Sequence, residues 1–88
     1  MEEKEFKFKV ATCFVTGFFT KKLAIIGVVE AGEVAVGDTI NLPAGPFTVD
    51  SIEASRKKVA SAGVGQQVSI LIKGANIPIP PAGAIITK

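Results

Sequence analysis

Residues 23–42 read Leu23-Ala24-Ile25-Ile26-Gly27-Val28-Val29-Glu30-Ala31-Gly32-Glu33-Val34-Ala35-Val36-Gly37-Asp38-Thr39-Ile40-Asn41-Leu42. The first eight form a strand that is apolar on both alternating faces, as a strand covered on both sides would be. Gly27 interrupts it, which predicts a bulge or a close backbone approach. Ala31-Gly32-Glu33 supplies a tight turn and Gly37-Asp38 a second, with Val34 and Val36 between them. Glycine permits the positive φ that such reversals need, and Asp38 can bond its own turn backbone. Thr39–Leu42 is then a short strand.

Working outward, residues 5–15 alternate. Phe6, Phe8, Val10, Thr12 and Phe14 fall on one face; Glu5, Lys7, Lys9, Ala11, Cys13 and Val15 fall on the other. Period two over this length is the pattern of a half-buried strand. From Ala11 the second face turns apolar, so the strand is expected to run from an exposed end into a covered one. Residues 16–22 read as a turn. Downstream, Phe47–Ala54 reads as one strand, Ser55–Lys58 as a polar loop, and Val68–Lys73 as a strand ended by Gly74. Ile77-Pro78-Ile79-Pro80-Pro81 cannot be a central strand, because proline lacks the ladder N–H. Ala84–Thr87 is a terminal strand.

No stretch holds a capped helical period. Six to seven short strands separated by turn signals predict an all-β sandwich or barrel. A chain of 88 residues hides its sheet edges best by closure, so a small antiparallel Greek-key β-barrel, closed or nearly closed, is expected. Residues 1–88 are read as one domain, with 1–4 disordered.

Composition narrows the function. With 48% hydrophobic residues the chain can build a core. There is no histidine and one cysteine, Cys13, so no internal disulfide and no Cys/His metal site can form. Histidine is also the commonest general base, and the carboxylates are scattered, so no enzyme, cofactor or metal is expected. The N-terminus is charged and no run is long and apolar enough to span a bilayer, which gives a cytoplasmic expectation. The net charge of +2 is unremarkable. Its distribution says more: beyond residue 9, cations concentrate at Lys21–Lys22 and Arg56–Lys57–Lys58.

Four elements in order carry a family resemblance. They are Gly27–Ile40; Ile52-Glu53-Ala54-Ser55-Arg56-Lys57-Lys58-Val59; Ala62–Gly74; and Gly83-Ala84-Ile85-Ile86. Together they resemble the second, β-barrel domain of translational GTPases of the elongation factor Tu type, over roughly residues 6–87. The resemblance implies a translation-factor barrel that faces RNA, with tRNA or ribosomal RNA, or a translation-related protein, as partner. It places Glu53 where the family has an acidic residue beside the terminal adenosine, and Arg56 where it has a basic residue near the same end. Two departures accompany it. The family's Gly-Arg-Gly-Thr-type stretch is replaced by Thr16–Leu23, and Ser55 stands where a larger apolar residue is usual. No Gly-x-x-x-x-Gly-Lys-Ser/Thr loop is present, so GTP binding by that loop is not expected. The chain reads as a stand-alone copy of one domain.

The candidate RNA-binding set is therefore Glu53, Arg56, Lys57, Lys58, Lys21 and Lys22, with the five cations expected to merge with Lys73 into one basic face. Phe18 and Phe19 beside Lys21–Lys22 suit base stacking, a plug for the barrel end, or a partner contact. The alternative function is a protein-interaction or oligomerisation module, a homodimer included, with Phe18, Phe19, Ile77 and Ile79 at its interface.

Overall fold

A computed structural model describes residues 5–17, 21–42, 45–73 and 79–88. Phe18, Phe19 and Ile77 lie outside the described residues. The described chain is all β. Its strands are β1 (Lys7–Thr16), β2 (Lys22–Ala31), β3 (Glu33–Ala35), β4 (Thr39–Leu42), β5 (Gly45–Thr48), β6 (Ser51–Ala54), β7 (Lys57–Val59), β8 (Ser61–Gly63), β9 (Gln67–Lys73) and β10 (Ile85–Ile86). Six form one antiparallel sheet in the order β10-β1-β2-β9-β6-β7; β3 pairs with β8, and β4 with β5. The three sheets wrap into a nearly closed barrel.

The core lies inside this wrap. Ile25 opposes Ile70 across β2 and β9, and Ile52 opposes Ile70 across β6 and β9. All three are fully buried. Each contributes roughly 1.5–3 kcal/mol relative to an exposed side chain. Phe6, Phe8 and Val10 of the β1 arm point into the same cluster.

Ten strand segments replace the expected six or seven, for two reasons. The anticipated Phe47–Ala54 strand changes partners midway. The Val49 N–H donates to Asp38 C=O at 2.8 Å, while the next N–H, of Asp50, donates to Leu71 C=O at 2.8 Å. The chain turns a barrel corner there and divides into β5 and β6. The anticipated polar loop Ser55–Lys58 is only two residues long. Ala54 pairs with Lys57, so Ser55–Arg56 alone make the turn, and Lys57 and Lys58 belong to β7.

The face assignment of residues 5–15 holds only as far as Val10. The β1–β2 register slips between Val10 and Thr12, so Ala11 is an extra residue, a β-bulge. One extra residue inverts the alternation. Cys13 rather than Thr12 or Phe14 then turns toward the core, and Phe14 is 46% exposed. Ala11 and Val15 are exposed too, so this half of β1 does not run into a covered end. The second face of β2 is likewise covered at Ala24 but open at Val28. Gly27 lies opposite the bulge, as its place in the strand led one to expect. A Cβ there would overlap the Lys9 carbonyl oxygen and come within 2.9 Å of the Phe8 ring. Gly32 and Gly37 adopt φ of 68° and 95°, the left-handed values their turns require.

Residues 87–88 bridge toward β4 and the turn before it. Asn41 N–H donates to Thr87 C=O at 2.8 Å. Lys88 Nζ donates to Asp38 Oδ2 at 2.7 Å and to Glu33 C=O at 2.9 Å, and stands 6.0 Å from the centre of the Phe6 ring. The Lys88 bond, then the Ala35 N–H bond to the same oxygen, hold the Asp38 carboxyl below its ordinary value, with slight desolvation opposing. A depressed carboxylate stabilises the fold above its unfolded pKa, and that contribution fades as pH falls through the lower, folded value. Both side chains are solvated, so the pair contributes within about 1 kcal/mol. Lys88→Met should therefore lower stability slightly at neutral pH and converge with wild type in acid, below the ordinary aspartate range. Urea midpoints against pH test this; parallel curves for the two proteins would dismiss the clasp.

Candidate nucleic-acid interface

The β6–β7 hairpin carries the residues that matter. Ser55 and Arg56 have φ of 52° and 66°. Two consecutive positive φ values in a two-residue loop match the twist of the flanking strands, and Asn-Gly is the usual sequence for it. Ser-Arg holds the same shape at roughly 1–2 kcal/mol per residue, because the left-handed region crowds a Cβ.

That turn stands over one end of β9. Ile26 opposes Ser69, Ser69 opposes Glu53, and Glu53 opposes Lys58. Directly opposed residues share a face, and their neighbours Ile25, Ile70 and Ile52 fill the core, so this row faces outward. A hollow of about 390 Å³ opens on it. Glu53, Ser55, Arg56, Gln67 and Ser69 line it, with Ile26 and Val68 as apolar members. Glu53 and Ser69 are half-buried; Arg56 and Gln67 are exposed. Among the described residues neither Glu53 nor Arg56 is in an ion pair. The hollow thus offers one carboxylate acceptor, one guanidinium fork, an amide and two hydroxyls around a small apolar surface.

The other cations lie elsewhere on the sheet. Lys22 opposes Lys73 at the far end of β9. Asp50 sits between the two groups, with Lys22 Nζ 2.6 Å from its Oδ2. The Lys22 hydrogen bond holds the Asp50 carboxyl below its usual range; the fields of Lys22, Lys73 and Lys58 add to this, and desolvation opposes it. Lys22, Lys73 and Lys58 therefore converge electrostatically on one carboxylate, which offsets part of their charge. Lys21 and Lys57 are exposed. A second hollow of about 430 Å³ opens beside Asp50 and Lys73, against Val36 and Phe47. Ile79 is 52% exposed.

Glu53 and Arg56, singled out in the sequence, line one hollow together. Gln67 and Ser69 were not anticipated. Their signal is available in retrospect: they are the polar alternates of a strand whose other positions, Val68, Ile70 and Ile72, are all buried. Cys13 is half-buried against the core, and burial pushes its thiol above its ordinary value. A thiol in that state is a packing group rather than a nucleophile. Among the described residues no three of His, Cys, Asp or Glu gather as metal ligands. No helix of the described chain is long and apolar enough to cross a membrane.

No family model matches the chain, and no curated protein matches it. Solved structures do, and they define the class as a translation-factor β-barrel domain. The chain is similar to the translation elongation factor SelB of Methanococcus maripaludis in its apo form, at 27% identity and a TM-score of 0.75. That similarity covers 94% of this chain and 18% of the factor. It also shares its fold with a bacterial selenocysteine-specific elongation factor, EF-Sec, at 22% identity and a TM-score of 0.70, over 97% of this chain and 14% of that one. The chain spans less than a fifth of either protein.

Proposed function

We propose that this chain is a non-catalytic RNA-contacting module of the elongation factor Tu domain 2 type, and that the hollow beside the β6–β7 turn takes the single-stranded 3′ end of an RNA. The observation that carries this reading is the convergence of Glu53, Arg56, Gln67 and Ser69 on one hollow. Each has chemistry suited to a terminal nucleotide. The Glu53 carboxylate accepts from ribose hydroxyls, the feature that tells RNA from DNA. Gln67 and Ser69 can donate to and accept from base edges. Ile26 gives the base an apolar surface. Arg56 reaches a phosphate as a fork, while Lys57 and Lys58 act on the strand as point charges. The likeness to SelB supports a translation setting for such a module.

Binding through Arg56, Lys57 and Lys58 should be salt-dependent, because each cation displaces a condensed counterion. Three phosphate contacts to a single strand give a log–log slope of about −2, so affinity falls roughly 20-fold for a fourfold rise in salt. Filter binding with a short single-stranded RNA at two salt concentrations measures this. A flat salt response, or no binding at low salt, would remove the RNA reading.

A further inference from the structure

We infer that Lys22, Lys58 and Lys73 form a second phosphate position for the RNA strand whose 3′ end fills the hollow, and that Asp50 holds this position until a phosphate displaces it. The inference rests on the RNA reading and adds to it a further contact and a brake on affinity. Lys22 and Lys73 lie directly opposite each other on β2 and β9. Like charges so placed repel across the ladder, so the pair costs the fold something instead of stabilising it. Asp50 offsets that cost, with Oδ2 2.6 Å from Lys22 Nζ. Three lysines act on this one carboxylate, so positive charge remains once it is satisfied.

The cluster stands on the same outward face as the hollow. Ile26 and Ser69 line the hollow as an opposed pair, and Lys22 and Lys73 are the opposed pair four residues further along the same two strands. An even spacing keeps strand side chains on one face. The two pairs are about 13 Å apart, at roughly 3.3 Å per residue. Lys58 joins the two places: it lies opposite Glu53 of the hollow, and its field reaches Asp50. A strand held by its 3′ end at Glu53 therefore passes Lys58 and brings the phosphate of a preceding nucleotide to Lys22 and Lys73.

The chemistry of the cluster selects a phosphate. Lysines present compact point charges with rotatable donors, which suit a phosphate oxygen and read no base. The Asp50 carboxylate marks the anion's place, because it already accepts the Lys22 donor that a phosphate oxygen would take. Exchange is easy. The side chains of Lys22 and Asp50 are 28% and 27% exposed, and ion pairs open to water are weak. Asp50 is thus the cluster's own counter-ion. A strand already gripped at the hollow displaces it; a mononucleotide confined to the hollow does not reach it.

Equilibrium binding of the full chain to a single-stranded octanucleotide RNA and to adenosine 5′-monophosphate tests it. Asp50→Asn should bind the octanucleotide roughly two- to fivefold more tightly than wild type, since the strand no longer has a surface ion pair to break. Its log–log salt slope should steepen by about 0.7, because the freed lysine now holds a salt ion for the phosphate to release. Adenosine 5′-monophosphate should bind both proteins equally. Lys73→Gln should weaken the octanucleotide by a similar factor while the amide shifts at the hollow persist. Should Asp50→Asn fail to fold, Lys73→Gln carries the test alone. A wild type that binds no RNA removes the RNA reading and this inference with it. A wild type that binds through the hollow, with the folded variants unchanged toward the octanucleotide, overturns this inference alone. An equal gain for adenosine 5′-monophosphate does the same, since Asp50 would then act on the hollow and not at a second position.

Discussion

Gly27→Ala is expected to lower the stability of this domain by about 3 kcal/mol, the upper end of overpacking costs. The added methyl overlaps the Lys9 carbonyl oxygen and presses on the Phe8 ring, which is itself fully buried. Neither neighbour can give way cheaply. Lys9 is held between β2 and β10, and Phe8 lies in the centre of the core. A domain of this size has roughly 4–13 kcal/mol in total, so the loss is a large fraction. It corresponds to a fall in Tm of roughly 12–24 °C. The chain has no tryptophan or tyrosine, so urea unfolding is best followed by far-ultraviolet circular dichroism. Gly63→Ala is the control: the nearest atom to its added methyl is the Gln66 side-chain oxygen at 3.9 Å, and little change is expected. Equal stability for Gly27→Ala and wild type would mean that the bulge does not pack against β2 as described.

The second large effect runs in two directions at once. Replacing Ser55 and Arg56 together by Asn and Gly keeps the turn and removes its strain. Stability should rise by roughly 1–3 kcal/mol, the roughly 1–2 kcal/mol relieved at each of the two residues less the unfolded-state entropy that the added glycine brings. RNA affinity should fall at the same time. A charged hydrogen bond contributes about 1.5–3 kcal/mol, so losing the guanidinium weakens binding on the order of 10- to 100-fold. Opposite signs from one pair of substitutions separate a strained binding turn from a merely structural one. Unchanged affinity in the stabilised variant would place the RNA contact elsewhere, and unchanged stability would mean that the turn carries no strain.

The class of fold was legible from periodicity and punctuation. Alternation at Phe6, Phe8 and Val10, and the glycines at 32 and 37, mark strands and reversals by local physics alone. What local physics does not contain is pairing. The bulge at Ala11 is visible only when β1 is laid against β2; Gly27 hinted at it from the opposite strand without saying which residue was extra. The corner at Val49–Asp50 is invisible for the same reason, because two adjacent N–H groups choose carbonyls far apart in sequence.

The candidate site was half legible. Glu53 and Arg56 stood out through the family resemblance, and they do share a hollow. Gln67 and Ser69 join them because β9 lies beside β6 in the sheet, a neighbour relation set by topology. Of the cations expected on one basic face, Lys22, Lys73 and Lys58 all act on the Asp50 carboxylate, which offsets part of their charge. A count of charges could not reveal that carboxylate among them.

Amide chemical shifts in a 15N-labelled sample, titrated with a short single-stranded RNA ending in a free 3′-adenosine, go furthest toward deciding whether this barrel is an RNA module. Saturable shifts at Glu53, Ser55, Arg56, Gln67 and Ser69, absent with the DNA of the same sequence, are predicted. Silence at those five amides under excess RNA, or shifts confined to residues outside the hollow, would contradict it.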